Sequence, residues 1–142
     1  MSISILHSNR PDLMCLSRGA TSEEIDVFER DARQVVAPEL RSFWKRWGTG
    51  TVFETEEFLS PVRDESTGDS AWSLLQESRR RGLPQHFVPF HRGLGGLTVA
   101  ANDGQIYVVS EDGFPILATY ESIDAWFNDS VFNEYSTRYG LP

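Results

Sequence analysis

Two β-rich stretches, Gly96-Leu-Thr-Val-Ala-Ala and Gln105-Ile-Tyr-Val-Val-Ser, are separated by Asn102-Asp103-Gly104. Asn and Gly tolerate positive φ, so this tripeptide predicts a tight hairpin with its two strands antiparallel. Glu111-Asp112-Gly113 marks a second turn, leading into Pro115-Ile-Leu-Ala, and Phe87-Val-Pro-Phe reads as a strand upstream. Strands joined by turns this short leave no room for crossover helices. A parallel βαβ array is therefore excluded for this part of the chain.

Helical signals sit on either side. Thr21-Ser22-Glu23-Glu24 fits a capping box, and Ile25, Phe28, Ala32 and Val35 follow at helical spacing. Pro38 suits the first turn of a second helix, in which Leu40, Phe43, Trp44 and Trp47 make an apolar stripe that Gly48 or Gly50 ends. Thr51 to Leu59 reads as one strand or a strand pair, and 64–69 as a polar acidic loop. Ser70 caps a third helix with Trp72, Leu75 and Arg79 on its buried side, closed by Gly82 and Pro84. Ser122 caps a last one bearing Ile123, Trp126 and Phe127, with Phe132, Tyr135 and Tyr139 continuing it. Residues 1–18, with Ile3 and Ile5 alternating before Pro11, read as a short strand or a loose extension. The expectation is one α+β domain, a mostly antiparallel or mixed sheet flanked by helices, over 21–142 behind an N-terminal extension at 1–20.

At 142 residues with four Trp, nine Phe and four Tyr, the chain has material for one sizeable core. Cys15 stands alone, so an internal disulfide is impossible and a reducing compartment fits. The first residues lack a secretory signal pattern and no apolar run approaches the ~20 residues of a membrane span, which points to the cytoplasm. The net charge of -8 is unevenly spread: residues 101–142 hold seven Asp and Glu against one Arg, whereas 1–50 balance seven acids with seven bases. Such an acidic half repels nucleic acid and anionic lipid and attracts a cationic partner.

Chemical motifs are missing. Gly93-Leu-Gly-Gly96 lacks the strand-to-helix context and the Lys of a phosphate loop, and reads as a plain turn. His86 and His91 have no carboxylate at metal-binding spacing and read as ordinary surface or strand-end side chains. There is no Gly-x-Ser-x-Gly elbow, and Cys15 reads as a buried small apolar residue and not as the partner of His7. Arg79-Arg80-Arg81 falls in the last turn of a helix, where cations favour the negative end of the macrodipole. No catalytic, cofactor or metal set emerges, so an enzyme is not expected. That expectation would change if the Gly93–Gly96 turn and carboxylates lined one deep pocket.

Several segments together resemble the SUKH superfamily, of the Smi1/Knr4 type. Pro38-Glu-Leu-Arg-Ser-Phe-Trp is similar to a helix of that family, with Trp47-Gly48-Thr49-Gly50 where Asn-Gly-Gly is usual. Val88-Pro89-Phe90 followed by Gly95-Gly96-Leu97, then Asp103-Gly104-Gln-Ile-Tyr107, resemble its strand and hairpin segments. Ala118 to Phe127 looks like its closing helix. The resemblance runs from about Thr21 to Phe127 and implies a single α+β domain without a catalytic set. It also implies, for bacterial members, an immunity protein that neutralises a cognate polymorphic or contact-dependent toxin by binding it. Eukaryotic members imply a regulatory or scaffold module instead.

Charge and resemblance converge on a basic, nuclease-type toxin domain as partner, because a nuclease presents a cationic surface to phosphate. The expected contact residues are Glu54, Glu56, Glu57, Asp64, Glu65, Asp103, Glu111 and Asp112.

Overall fold

The computed structural model describes residues 2–63 and 70–141, so the acidic loop expected at 64–69 lies outside it. Strands β1 (Met14–Leu16), β2 (Gly50–Val52), β3 (Glu56–Phe58), β4 (Phe87–Gly93), β5 (Gly96–Ala101), β6 (Ile106–Val109) and β7 (Ile116–Tyr120) form one sheet. Its strand order is the chain order and every neighbouring pair is antiparallel. The α+β class expected from the hairpin turns is the one the chain adopts.

Helices α1 (Ile3–Asn9), α2 (Ser22–Ala32), α3 (Pro38–Arg46) and α4 (Ala71–Arg80) precede the long strands. After β7, α5 (Ile123–Trp126) runs into a π-helical stretch over Phe127–Phe132 and on into α6 (Asn133–Tyr135). Adjacent strand residues point to opposite faces, and the sheet uses both. Glu57 and Arg92 lie beside Leu74 and Glu77 of α4, whereas their neighbours Glu56 and His91 lie beside Trp126 and Tyr135.

Local chemistry explains most boundaries. Glu24 N–H donates to Thr21 Oγ1 (3.1 Å) while Thr21 N–H donates to the Glu24 carboxylate (2.9 Å), the reciprocal capping box that starts α2. Ile25, Phe28 and Ala32 are its buried face. Helix α4 starts in the same way, with Ser70 and Ser73 capping each other. Arg79 in the last turn of α4 donates to the carbonyls of Ala32 (2.6 Å) and Gln85 (2.9 Å), so it ties α4 to the end of α2. In α3 Trp44 is 1% exposed and its indole N–H donates to the Leu59 carbonyl at 3.0 Å.

Several expectations differ from the outcome. Val35 lies beyond the end of α2 and is 70% exposed, and Cys15 is exposed and not buried. Helix α3 stops at Arg46, and Trp47 leaves it with extended backbone, although its ring stays buried against His7. Residues 3–9 form α1 and not a strand. Ile3 and Leu6, three apart, go into the core, while Ile5 is half exposed; an alternating strand would have paired Ile3 with Ile5. Ser2 caps α1, and Leu13 and Met14 join the same core, so the segment at 1–20 packs onto the rest. Among the described residues no helix is long and apolar enough to cross a membrane.

The capping box carries a pH signature. The Arg18 guanidinium, followed by the Thr21 amide, holds the Glu24 carboxyl at about 2 against an ordinary 4.5. A depressed carboxylate contributes stability that is complete above about pH 4.5 and is lost as pH falls toward 2. Glu24→Gln should flatten that part of the stability–pH curve, measured by urea midpoints. Thr21→Ala should cost about 1 kcal/mol at neutral pH through the lost cap.

Candidate binding site

The register of the sheet decides which turns meet. The β2–β3 turn at 53–55, the β4–β5 turn at Leu94-Gly95 and the β6–β7 turn at 110–115 all emerge at one end, each about 10 Å from the next and the outer two about 20 Å apart. The Asn102-Asp103-Gly104 turn lies at the other end, about 20 Å away along β5. Three expected contact residues therefore share one end, Glu54 about 20 Å across it from Glu111 and Asp112, and one lies at the other end. Glu54 and Asp112 are exposed on the first end, with Glu111 half-buried beside Asp112. Asp103 is exposed at the opposite end, where its carboxylate accepts from the Gln105 N–H at 2.9 Å and shapes its own turn. Glu57 is half-buried on the α4 face. There Arg92 approaches Glu111 at 3.3 Å. Asp64 and Glu65 lie outside the described residues.

Glu56 does not share that solvated surface. It is 5% exposed, because it follows the same side of β3 as Phe58, which is 1% exposed. Its two oxygens accept from His91 Nε2 (3.2 Å) and from the Tyr135 hydroxyl (3.2 Å). A carboxylate can only accept, so His91 carries its proton on Nε2, and Nδ1 faces Thr98 Oγ1 at 2.9 Å. Thr55 Oγ1 completes the chain at 2.6 Å from the Tyr135 oxygen. Burial pushes the Tyr135 phenol above its ordinary value; its bond with Thr55 opposes this and the Glu56 charge reinforces it. The phenol thus stays a donor at neutral pH. His91 is 4% exposed, unlike the exposed His86, and corrects the surface or strand-end reading of the sequence. Trp126 meets its ring edge-on at 4.7 Å.

The Gly93–Gly96 turn closes this network. A Cβ on Gly93 would stand 2.6 and 2.8 Å from the Glu56 carboxylate oxygens and 2.8 Å from His91 Cε1. The backbone passes so near the buried pair that only glycine fits. Gly93→Ala should therefore destabilise the fold by about 1–3 kcal/mol through overpacking, read as a lower denaturant midpoint at unchanged slope.

Above the network lies a cavity of about 470 Å³. Its floor is Glu56, His91 and Thr98; Trp126 and Tyr135 form one wall and Leu94, Gly95 and Gly96 the lip. Asp129, Ser130 and Glu134 line it from the C-terminal helical segment. Asp129 accepts from the Tyr120 hydroxyl at 2.6 Å, and Ser130 lies 2.8 Å from the same hydroxyl, which fixes the π-helical stretch to β7. The π-helical winding turns less per residue than an α-helix, so it brings Asp129 and Glu134, five apart, toward one side. The Gly turn and carboxylates do line one cavity, the arrangement the sequence left open. His91, Trp126, Asp129 and Glu134 were not among the expected contact residues.

Comparison with known proteins adds the following. No curated protein matches the sequence. A crystal structure of a protein from Pseudomonas syringae pv. tomato superposes with a TM-score of 0.72 at 12% identity, covering 90% of this chain and 97% of that one. At that identity the likeness is one of fold. The SMI1/KNR4 family model (SUKH-1) matches residues 19–129, and the chain belongs to that family.

Proposed function

We propose that this chain is a cytoplasmic immunity protein that binds a basic, nuclease-type toxin domain one to one and neutralises it without catalysis. Family membership over residues 19–129 supports a protein-binding role. The observation that carries the reading further is the acidic end of the sheet. Glu54 and Asp112 are exposed at the same end of the sheet as a cavity lined by Glu56, Asp129 and Glu134, and among the described residues no lysine or arginine lines that cavity. Charge of one sign around a concave site steers a cationic protein onto it and raises the association rate.

The experiment is calorimetry with the toxin domain encoded beside this chain's gene, at low and at raised salt. A one-to-one complex that weakens as salt rises is expected. A neutral partner with no toxin activity would overturn the reading in favour of a regulatory module.

One observation favours a second reading, a small-molecule enzyme: Thr98, His91 and Glu56 stand in the order of nucleophile, base and orienting group. Against it, Thr98 is 1% exposed, so an acyl group would reach its hydroxyl only if the turn moved. Turnover of an activated ester by the wild type and not by His91→Ala would support this second reading.

A further inference from the structure

We infer that the cavity at the turn end of the sheet is a receptor for a single cationic side chain, an arginine, projecting from the partner. The inference rests on the proposed reading that the partner is a basic protein, and it names the group recognised. Three features of the cavity lead to it.

The first is its construction. A volume of about 470 Å³ falls within the range of built ligand sites. The floor is a buried carboxylate, Glu56, held by His91 and Tyr135 and approached by a glycine backbone. Burying a carboxylate in a core costs more than burying an apolar side chain of the same size, so packing alone does not account for it.

The second is the sign of the lining. Asp129 and Glu134 are exposed and, among the described residues, neither forms an ion pair. The third is spacing. Among the described residues no three His, Cys, Asp or Glu side chains approach closely enough to hold a metal ion. Carboxylates that are spread along a cavity suit a longer, planar cation. A guanidinium offers five N–H donors in a fixed fork, which matches separated, exposed carboxylates such as Asp129 and Glu134 better than a compact ammonium does.

The test uses the whole chain and a defined probe, Nα-acetyl-arginine methylamide, with the uncharged isostere Nα-acetyl-citrulline methylamide in parallel. Binding is followed through the Trp126 indole N–H and the His91 ring signals by NMR. The arginine probe should shift both signals saturably in the millimolar range, the citrulline probe should not, and Asp129→Asn with Glu134→Gln should weaken the arginine response at least about tenfold. Both positions are exposed and the amide oxygen in Asp129→Asn can still accept from the Tyr120 hydroxyl, so an unchanged thermal midpoint separates lost recognition from lost folding.

Equal responses to the two probes, or no saturable shift up to about 50 mM, would overturn the inference. The toxin measurement separates the two ideas. A toxin that binds wild type and the double variant equally removes the arginine pocket and leaves the immunity reading standing. A pocket that takes the arginine probe in a chain that binds no toxin does the reverse.

Discussion

Trp126→Ala should lower the unfolding free energy by about 3–5 kcal/mol and the thermal midpoint by about 10–15 °C. Trp126 is 1% exposed, and its ring lies 5.4 Å from Phe90, 5.8 Å from Phe58 and 4.7 Å from His91. Truncation removes the aromatic contacts of Trp126 to the sheet and leaves those of Asp129, Ser130 and Tyr135 to hold the C-terminal helical segment. Two effects then compete. A dry hole would cost in proportion to its volume, but this one opens into a cavity of about 470 Å³ that water can enter. Water moderates the penalty for lost volume while wetting the Glu56–His91 pair, so the lower half of the range is expected. Trp126→Phe keeps an aromatic wall and should cost less than half as much. A thermal scan of both variants is the check, and an alanine variant that melts within 2–3 °C of the wild type would show that the segment is held by other contacts.

The same residue shows what local pattern could and could not reveal. Trp126 was legible as the apolar face of a capped helix, because Ser122 accepts from the Ala125 N–H at the expected spacing. Its place in a cavity wall was not, because the helix changes winding one residue later. An α-helical wheel sets Asp129 and Glu134 on different sides, and the wider winding of the stretch at Phe127–Phe132 lets both line the cavity.

The buried glutamate was closer to view. Glu56 and Phe58 have the parity of one strand face, so once Phe58 is core, Glu56 follows it inward. His91 was hidden by a different feature. The register between β4 and β5 shifts between Pro89 and His91, and the irregularity lets Phe90 and His91 both meet Trp126 where strict alternation would send them to opposite faces. The hairpin turns and helix caps, by contrast, depend on residues within four positions of one another, whereas the pairings of β1 with β2 and of β3 with β4 span helices and carry no local signal. Strand β1 has three residues and takes its place from pairing with β2, so no local signal marks it.

Where the charges lie, and not only how many there are, can be tested by removing them singly. Glu54→Gln and Asp103→Asn each delete one negative charge from a chain of net charge -8. They sit at opposite ends of the sheet, and the Asn oxygen can still accept from the Gln105 N–H, so the turn at Asp103 is preserved. If steering is local, Glu54→Gln should slow association with the proposed toxin partner at low salt several-fold while Asp103→Asn leaves it nearly unchanged. Reversing Glu54, Glu111 and Asp112 together to lysine should then lower the association rate by roughly 10–1,000-fold, the span that such fields produce. Stability should change by no more than about 1 kcal/mol. Glu54 and Asp112 are exposed, and the Glu111–Arg92 pair is partly solvated, which limits what its loss can cost. Stopped-flow mixing at two ionic strengths measures the rates. Equal slowing by the two single variants would mean that net charge does the steering. A triple variant that associates as fast as the wild type would remove this end of the sheet as the docking surface.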